Sequence, residues 1–179
     1  PMGALGVHFL GYINRISKKD LLLLEKKGFK KNYIGTDHIG KAGVEYQYEK
    51  ELHGESGFKQ IEVNSIGKPL RTLKTFPARE GANIHLTIDL KMQEIAEKAF
   101  GNKKGALVAI DPSNGELLAY VSMPTYNPGF FIDGISHKNW NNLSMSADKP
   151  LLDRSINGLY PPGSTLKPFV AIAALENQI

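Results

Sequence analysis

The chain has 179 residues, 41% of them hydrophobic, with a net charge of +4 and no cysteine. That is enough apolar content for one domain or two small ones with a buried core, while the missing thiols argue against a disulfide scaffold or a thiolate metal site and fit a periplasmic protein without requiring one. The charge is too small and scattered to imply nucleic acid, and Lys18-Lys19, Lys26-Lys27 and Lys30-Lys31 read as solvated faces and helix ends.

In chain order, Val7-His8-Phe9-Leu10 is strand-like. Ser17-Lys18-Lys19-Asp20 has the form of a capping box ahead of a leucine run, with Gly28 placed to end the helix. A second helix is predicted over residues 43–53, where Val44, Tyr48 and Leu52 recur at a spacing of four and the aromatics serve packing. From Phe58 to Leu73, apolar and polar residues alternate on either side of Ser65-Ile66-Gly67-Lys68-Pro69, which predicts a hairpin. Residues 75–83, with Pro77 and Gly81, are the expected boundary, dividing the chain into domains at 1–80 and 81–179.

Beyond that boundary Ile84, Leu86 and Ile88 alternate as a strand, and Asp89 can cap a helix ending at Gly101 whose stripe is Met92, Ile95, Ala96 and Ala99. A hairpin follows, residues 106–111 and 116–122 about Pro112-Ser113-Asn114-Gly115. The stretch 123–163 is rich in proline and glycine and reads as a long irregular connection, anchored by Trp140, that returns to present Ser164. A strand pair followed by an apolar helix is how an α+β or α/β domain begins.

Chemistry concentrates at Ser164-Thr165-Leu166-Lys167, an S-x-x-K tetrad that sets a hydroxyl and an amine one helical turn apart on one face. The tetrads at Ser65 and Ser146, by contrast, each run into a proline with no apolar periodicity behind it, and both read as solvated loops. After Ser164 comes the unbroken apolar run from Phe169 to Leu175, which predicts a helix buried on nearly every side, with Pro168 tolerated in its first turn. A helix start offers unpaired N–H groups and a positive dipole end to the oxyanion of acyl transfer. A serine hydroxyl needs a base to remove its proton, and an amine can serve once desolvation favours its uncharged form. A bland alternative is a serine cap with a solvated lysine.

The flanking sequence decides between these. Arg154-Ser155-Ile156-Asn157-Gly158-Leu159-Tyr160-Pro161-Pro162-Gly163-Ser164-Thr165-Leu166-Lys167-Pro168 closely resembles the active-site segment of the class B penicillin-binding proteins. Residues 40–49, Leu52-His53-Gly54 and Val63-Asn64 resemble that family's non-catalytic pedestal, and residues 86–93 and 105–112 resemble the opening of its transpeptidase domain. The resemblance implies an α+β fold: a small mixed pedestal, then the first part of a β-lactamase-like serine-transpeptidase domain. It also implies that Ser164 is the acylated nucleophile and Lys167 the proton-transfer group of a D,D-transpeptidase acting on peptidoglycan stem peptides ending in D-Ala-D-Ala. β-Lactams would acylate the same serine, and no metal or organic cofactor is involved.

Within the family the likeness is strongest to the elongation enzymes of rod-shaped Gram-negative bacteria. These stand on the periplasmic face of the inner membrane with a glycan polymerase and a periplasmic cell-shape scaffold protein as partners. No apolar run here approaches the ~18 residues of a membrane helix and no signal peptide opens the chain, so the family's single anchor is expected to lie outside it. Gly129 and Asp153 stand where the family often has asparagine, away from the proposed chemistry. Ser155-Ile156-Asn157 fits the family's S-x-N motif by letter but precedes the nucleophile, and the later S-x-N and K-T-G motifs are expected beyond Ile179, which makes the isolated chain inactive. The alternatives are a D,D-carboxypeptidase or β-lactamase-type hydrolase, or a docking module without turnover. The five histidines are too dispersed for a metal site, and there is no G-x-S-x-G elbow or phosphate loop.

Overall fold

The structure, a computed structural model, describes residues 3–178. It is a mixed helix and strand fold in which all three sheets are two-stranded and antiparallel. At the N-terminal end the strand expected at residues 7–10 is a helical turn, α1 (Val7–Leu10). Gly6 enters it with φ +65°, a left-handed turn that sends the chain into a helix and away from a ladder. β1 (Ile13–Arg15) pairs with β2 (His38–Gly40), and between them lies α2 (Lys18–Lys26). The predicted capping box forms: the Asp20 N–H donates to Ser17 Oγ at 3.3 Å and the Ser17 N–H to Asp20 Oδ2 at 2.7 Å.

The helix expected over residues 43–53 is two short ones, α3 (Gly43–Gln47) and α4 (Glu49–His53), broken at Tyr48, whose φ −108° and ψ 21° are not helical. The Glu49 carboxylate fixes the break, accepting from Tyr33 Oη at 2.9 Å and from the Gly40 N–H at 2.8 Å. Burial and the neighbouring Glu49 charge push the Tyr33 phenol up. Tyr33, outside that helix, stacks on His53 with ring centres 4.0 Å apart, but the packing expected of the helix's own aromatics is not found. Tyr46 and Tyr48 are exposed.

The hairpin of β3 (Phe58–Val63) and β4 (Pro69–Phe76) forms as expected. Asn64 closes it: its Oδ1 accepts the N–H groups of Ile66 at 3.1 Å and Lys68 at 2.9 Å, while Gly67 takes φ +77°. The tetrad at Ser65 is thus a solvated turn. Phe58 and Phe76 stack at 4.3 Å across the open end.

In the second half Asp89 caps α5 (Leu90–Phe100), accepting from the Met92 N–H at 2.8 Å. Residues 84–88 do not form the expected strand. Thr87 Oγ1 donates to the Leu117 carbonyl at 2.7 Å, and just beyond the segment the Asp89 N–H donates to the Leu118 carbonyl at 2.9 Å. Of the expected α5 stripe Ala96 is buried, but Met92, Ile95 and Ala99 are exposed and Gln93 faces inward in their place. The reason is a polar contact. β5 (Gly105–Ile110) and β6 (Leu117–Met123) make the predicted hairpin, and the Gln93 amide docks on the Tyr120 backbone of β6.

The core sits where the N-terminal turn meets the long connection. Val7, Tyr126 and Phe131 are buried together, flanked by Tyr12, Ile135, Leu143 and Leu151. The connection is more regular than its composition predicts, because Ser136 caps α6 (His137–Ser144) and Asp153 caps α7 (Arg154–Asn157). Tyr126 and Phe131 anchor it rather than Trp140, which stays 45% exposed. The Gly6 N–H donates to Glu97 at 2.8 Å and His8 Nε2 meets the Pro150 carbonyl at 2.9 Å, fastening the chain's beginning to α5 and to the connection. No described helix is long and apolar enough to cross a membrane.

Candidate active site

Six residues, 158–163, separate the end of α7 from Ser164, and the path includes Pro161-Pro162, whose rings fix two successive φ angles. Gly163 then adopts φ +54°, a left-handed turn that a Cβ would strain, and opens a 3-10 turn, Gly163–Leu166. The turn is tied by Thr165, whose N–H and Oγ1 both reach the Pro162 carbonyl, at 3.3 and 2.6 Å. α8 (Lys167–Glu176) continues directly from it, with Pro168 in its first turn as expected.

Ser164 therefore lies in the turn that leads a helix, and Lys167 is that helix's first residue, its N–H donating to the Ser164 carbonyl. Both side chains are exposed, and among the described residues neither Ser164 Oγ nor Lys167 Nζ has a hydrogen-bond or ion-pair partner. The expected burial of α8 is not found: Phe169, Val170, Ile172 and Leu175 are 54–78% exposed. Among the described residues the main contact of α8 is with its own leading turn, so most of an apolar surface suited to packing stands open.

A polar network whose members lie far apart in the sequence joins α5, β6 and α7. Gln93, 1% exposed, accepts from the Tyr120 N–H at 2.7 Å and donates to the Tyr120 carbonyl at 2.8 Å and to Glu97 at 2.9 Å. Tyr120 Oη donates to Asp153 Oδ2 at 2.7 Å, and burial together with that carboxylate raises the phenol's pKa. Asp153, the family's frequent asparagine, thus does a carboxylate's work, holding Tyr120 with one oxygen and the Ser155 N–H with the other at 3.0 Å. Ser155 Oγ donates to the Val121 carbonyl at 2.9 Å. The letter match to S-x-N is therefore a structural serine on α7.

Arg154 is buried, and its guanidinium donates to the carbonyls of Asp148 at 2.6 Å, Lys149 at 3.0 Å and Leu152 at 3.4 Å. The tetrad at Ser146 lies in this turn and has no helix behind it. One signal pointed to the network in advance: a glutamine placed between apolar turns of α5 has no reason to face inward unless a backbone edge awaits it.

An exposed serine leading an apolar helix, with a lysine one turn on, is an arrangement that serine acyl transfer can use. Comparison with known proteins narrows the class. The penicillin-binding protein dimerisation domain matches residues 1–86 and the penicillin-binding protein transpeptidase domain matches residues 105–179. The chain is 44% identical over 175 residues to the peptidoglycan D,D-transpeptidase MrdA of Salmonella typhimurium and 43% identical over 176 residues to that of Escherichia coli, covering 98% of this chain and 28% of each relative.

Among solved structures, Pseudomonas aeruginosa PBP2 in complex with WCK 5153 superposes with a TM-score of 0.80 at 43% identity, over 98% of this chain and 34% of that one. Helicobacter pylori PBP2, solved in complex with MreC, gives 0.83 at 38% identity, over 99% and 32%. The chain belongs to the penicillin-binding proteins and carries their dimerisation domain and the start of their transpeptidase domain. It spans about three tenths of the length of the curated relatives it matches.

Proposed function

We propose that this chain contributes the nucleophile of a peptidoglycan D,D-transpeptidase that serves cell elongation and rod shape. Residues 1–80 form its pedestal and residues 81–179 the first part of its catalytic domain. The observation that carries the reading is the placement of Ser164 and Lys167 at the exposed head of α8, in a chain 43–44% identical to enzymes named for this reaction.

Ser164 Oγ attacks the carbonyl carbon of the penultimate D-alanine of a stem peptide as Lys167, uncharged, accepts the hydroxyl proton. The oxyanion forms beside the N–H groups at the helix start. Collapse of the tetrahedral intermediate expels terminal D-alanine, whose nitrogen takes the proton from Lys167. An amine of a neighbouring strand then attacks the ester carbonyl, releasing Ser164 and leaving a new amide cross-link. A β-lactam carbonyl presents the same electrophile and leaves a stable ester on Ser164.

The site is assigned to the periplasmic face of the bacterial inner membrane, where stem peptides are found. Its partners are a membrane glycan polymerase and a periplasmic scaffold protein, a reading supported for the second by the MreC complex of the Helicobacter pylori relative. The exposed α8 and the solvated lysine support a further point: the 179-residue chain alone does not turn over, because nothing desolvates the amine.

A polypeptide of the relatives' full length, supplied with a stem pentapeptide and an acceptor amine, tests the reading. Transfer of the acyl group to the amine in step with D-alanine release is expected. Release that ignores the acceptor would make the protein a carboxypeptidase, and no release would remove the assignment.

A further inference from the structure

We propose that Arg154 is the positioning residue for the reactive serine: its buried guanidinium, fastened to the carbonyls of the 148–152 turn, sets the place from which Ser164 is projected. The inference rests on Ser164 being the nucleophile. Arg154 is 8% exposed, yet among the described residues no carboxylate pairs with it, and the nearby Asp148 carboxylate goes instead to Lys104 Nζ at 2.6 Å. A guanidinium withdrawn from water without a counter-ion is tolerated only where fixed dipoles replace its hydration. Here they are the carbonyls of Asp148, Lys149 and Leu152, which a planar fork of donors can span and a single ammonium cannot.

The turn has been shaped for this capture. Lys149 takes φ 43°, unusual for a residue with a side chain, which aims the flanking carbonyls inward. A fourth carbonyl, that of Pro150, is held by His8 Nε2 at 2.9 Å. Ser122 Oγ donates to the Leu152 carbonyl at 3.1 Å and accepts the Arg154 N–H at 2.9 Å, so β6 grips the turn and α7 together. Four carbonyls in five residues are thus claimed by side chains from three separate elements. Such an arrangement serves no ladder or helix of its own, and its product is a fixed α7. From α7 to Ser164 the chain is short and includes Pro161-Pro162, so a shift of α7 is passed on to Ser164 instead of being absorbed. A displacement near 1 Å at a reacting atom costs up to about hundredfold in rate.

The test is acylation of the full-length polypeptide by a fluorescent penicillin, with rates expressed per titratable serine. In Arg154→Met the saturating acylation rate constant is expected to fall about ten- to hundredfold while the half-saturating concentration stays within about threefold, and Arg154→Lys is expected to recover only part of the rate. Ser122→Ala, which removes two of the contacts and no charge, is expected to slow acylation less, in the same direction, and it decides the matter if the Arg154 variants do not fold. A smaller labelled fraction with a wild-type rate per labelled serine would overturn the inference, because it would make Arg154 merely structural. Loss of labelling in Ser164→Ala with wild-type rates in the Arg154 and Ser122 variants would overturn the inference alone. Labelling that survives Ser164→Ala would overturn it together with the proposed function.

Discussion

The side-chain amide of Gln93 pairs with both backbone groups of Tyr120, accepting the N–H at 2.7 Å and donating to the carbonyl at 2.8 Å, as a neighbouring strand would. Through that pair α5 stands in for the missing third strand beside β6, and Tyr120 is then free to hold Asp153 at the head of α7.

Replacing Gln93 with leucine strands the two Tyr120 backbone groups in a buried setting. Each unsatisfied group costs about 1–3 kcal/mol, so a loss of roughly 2–5 kcal/mol is expected in urea unfolding, with an unchanged slope. Gln93→Glu should also destabilise, since a carboxylate would face both the Tyr120 carbonyl and Glu97.

Phe131 is 4% exposed, with its ring 4.3 Å from Tyr12 and 5.7 Å from Tyr126. Truncation to alanine is expected to cost about 3–5 kcal/mol and to loosen the N-terminal turn from the connection, seen as faster proteolysis within residues 126–151.

Burial holds the pKa of His8 below its ordinary 6.5, with the Pro150 hydrogen bond and the Asp153 charge opposing only in part. A group that binds its proton more weakly when folded contributes stability that is fully present above the unfolded pKa. That contribution is lost as pH falls through the folded one. Unfolding free energy should therefore decline as pH drops below about 6.5, and His8→Gln should flatten the decline. The aspartates act in a separate, lower window: burial opposes ionisation of Asp20, but hydrogen bonds from Lys41 and Ser17 outweigh it and hold its carboxyl below 3.8.

How much of this could be read from residues alone differs by element. The capping box at Ser17, the hairpin turn at Asn64 and the Asp89 cap were legible because each is decided within a few residues by side-chain to backbone hydrogen bonds. The inward face of α5 was not legible, because the spacing of Met92, Ile95 and Ala99 is blind to the bare edge of β6 that draws Gln93 in. For the site, the sequence put Ser164 and Lys167 at a helix start, but beyond the lone glutamine of α5 it carried little of the Arg154 and Gln93 network, whose partners lie up to 34 positions apart. The burial expected of α8 is not borne out, because an apolar run specifies a helix that can pack but carries no information on which surface would cover it.

That exposure gives its own prediction. The amides of α8 in the 179-residue chain should exchange with solvent far faster than those of α5 and β6, because its apolar residues are exposed and its main contact is with its own leading turn. Equal protection of all three in hydrogen-exchange mass spectrometry would mean that α8 finds a partner in solution.

The central claim is that the Ser164 hydroxyl becomes a nucleophile because Lys167 takes its proton. The most direct measurement is the rate at which a penicillin forms an ester with the full-length polypeptide, with the modified residue located by peptide mass spectrometry. The account predicts an adduct on Ser164 alone and a fall of about 10²–10⁴ in its rate of formation in Lys167→Met. An adduct on any other residue, or a Lys167→Met protein acylated as fast as wild type, would contradict it.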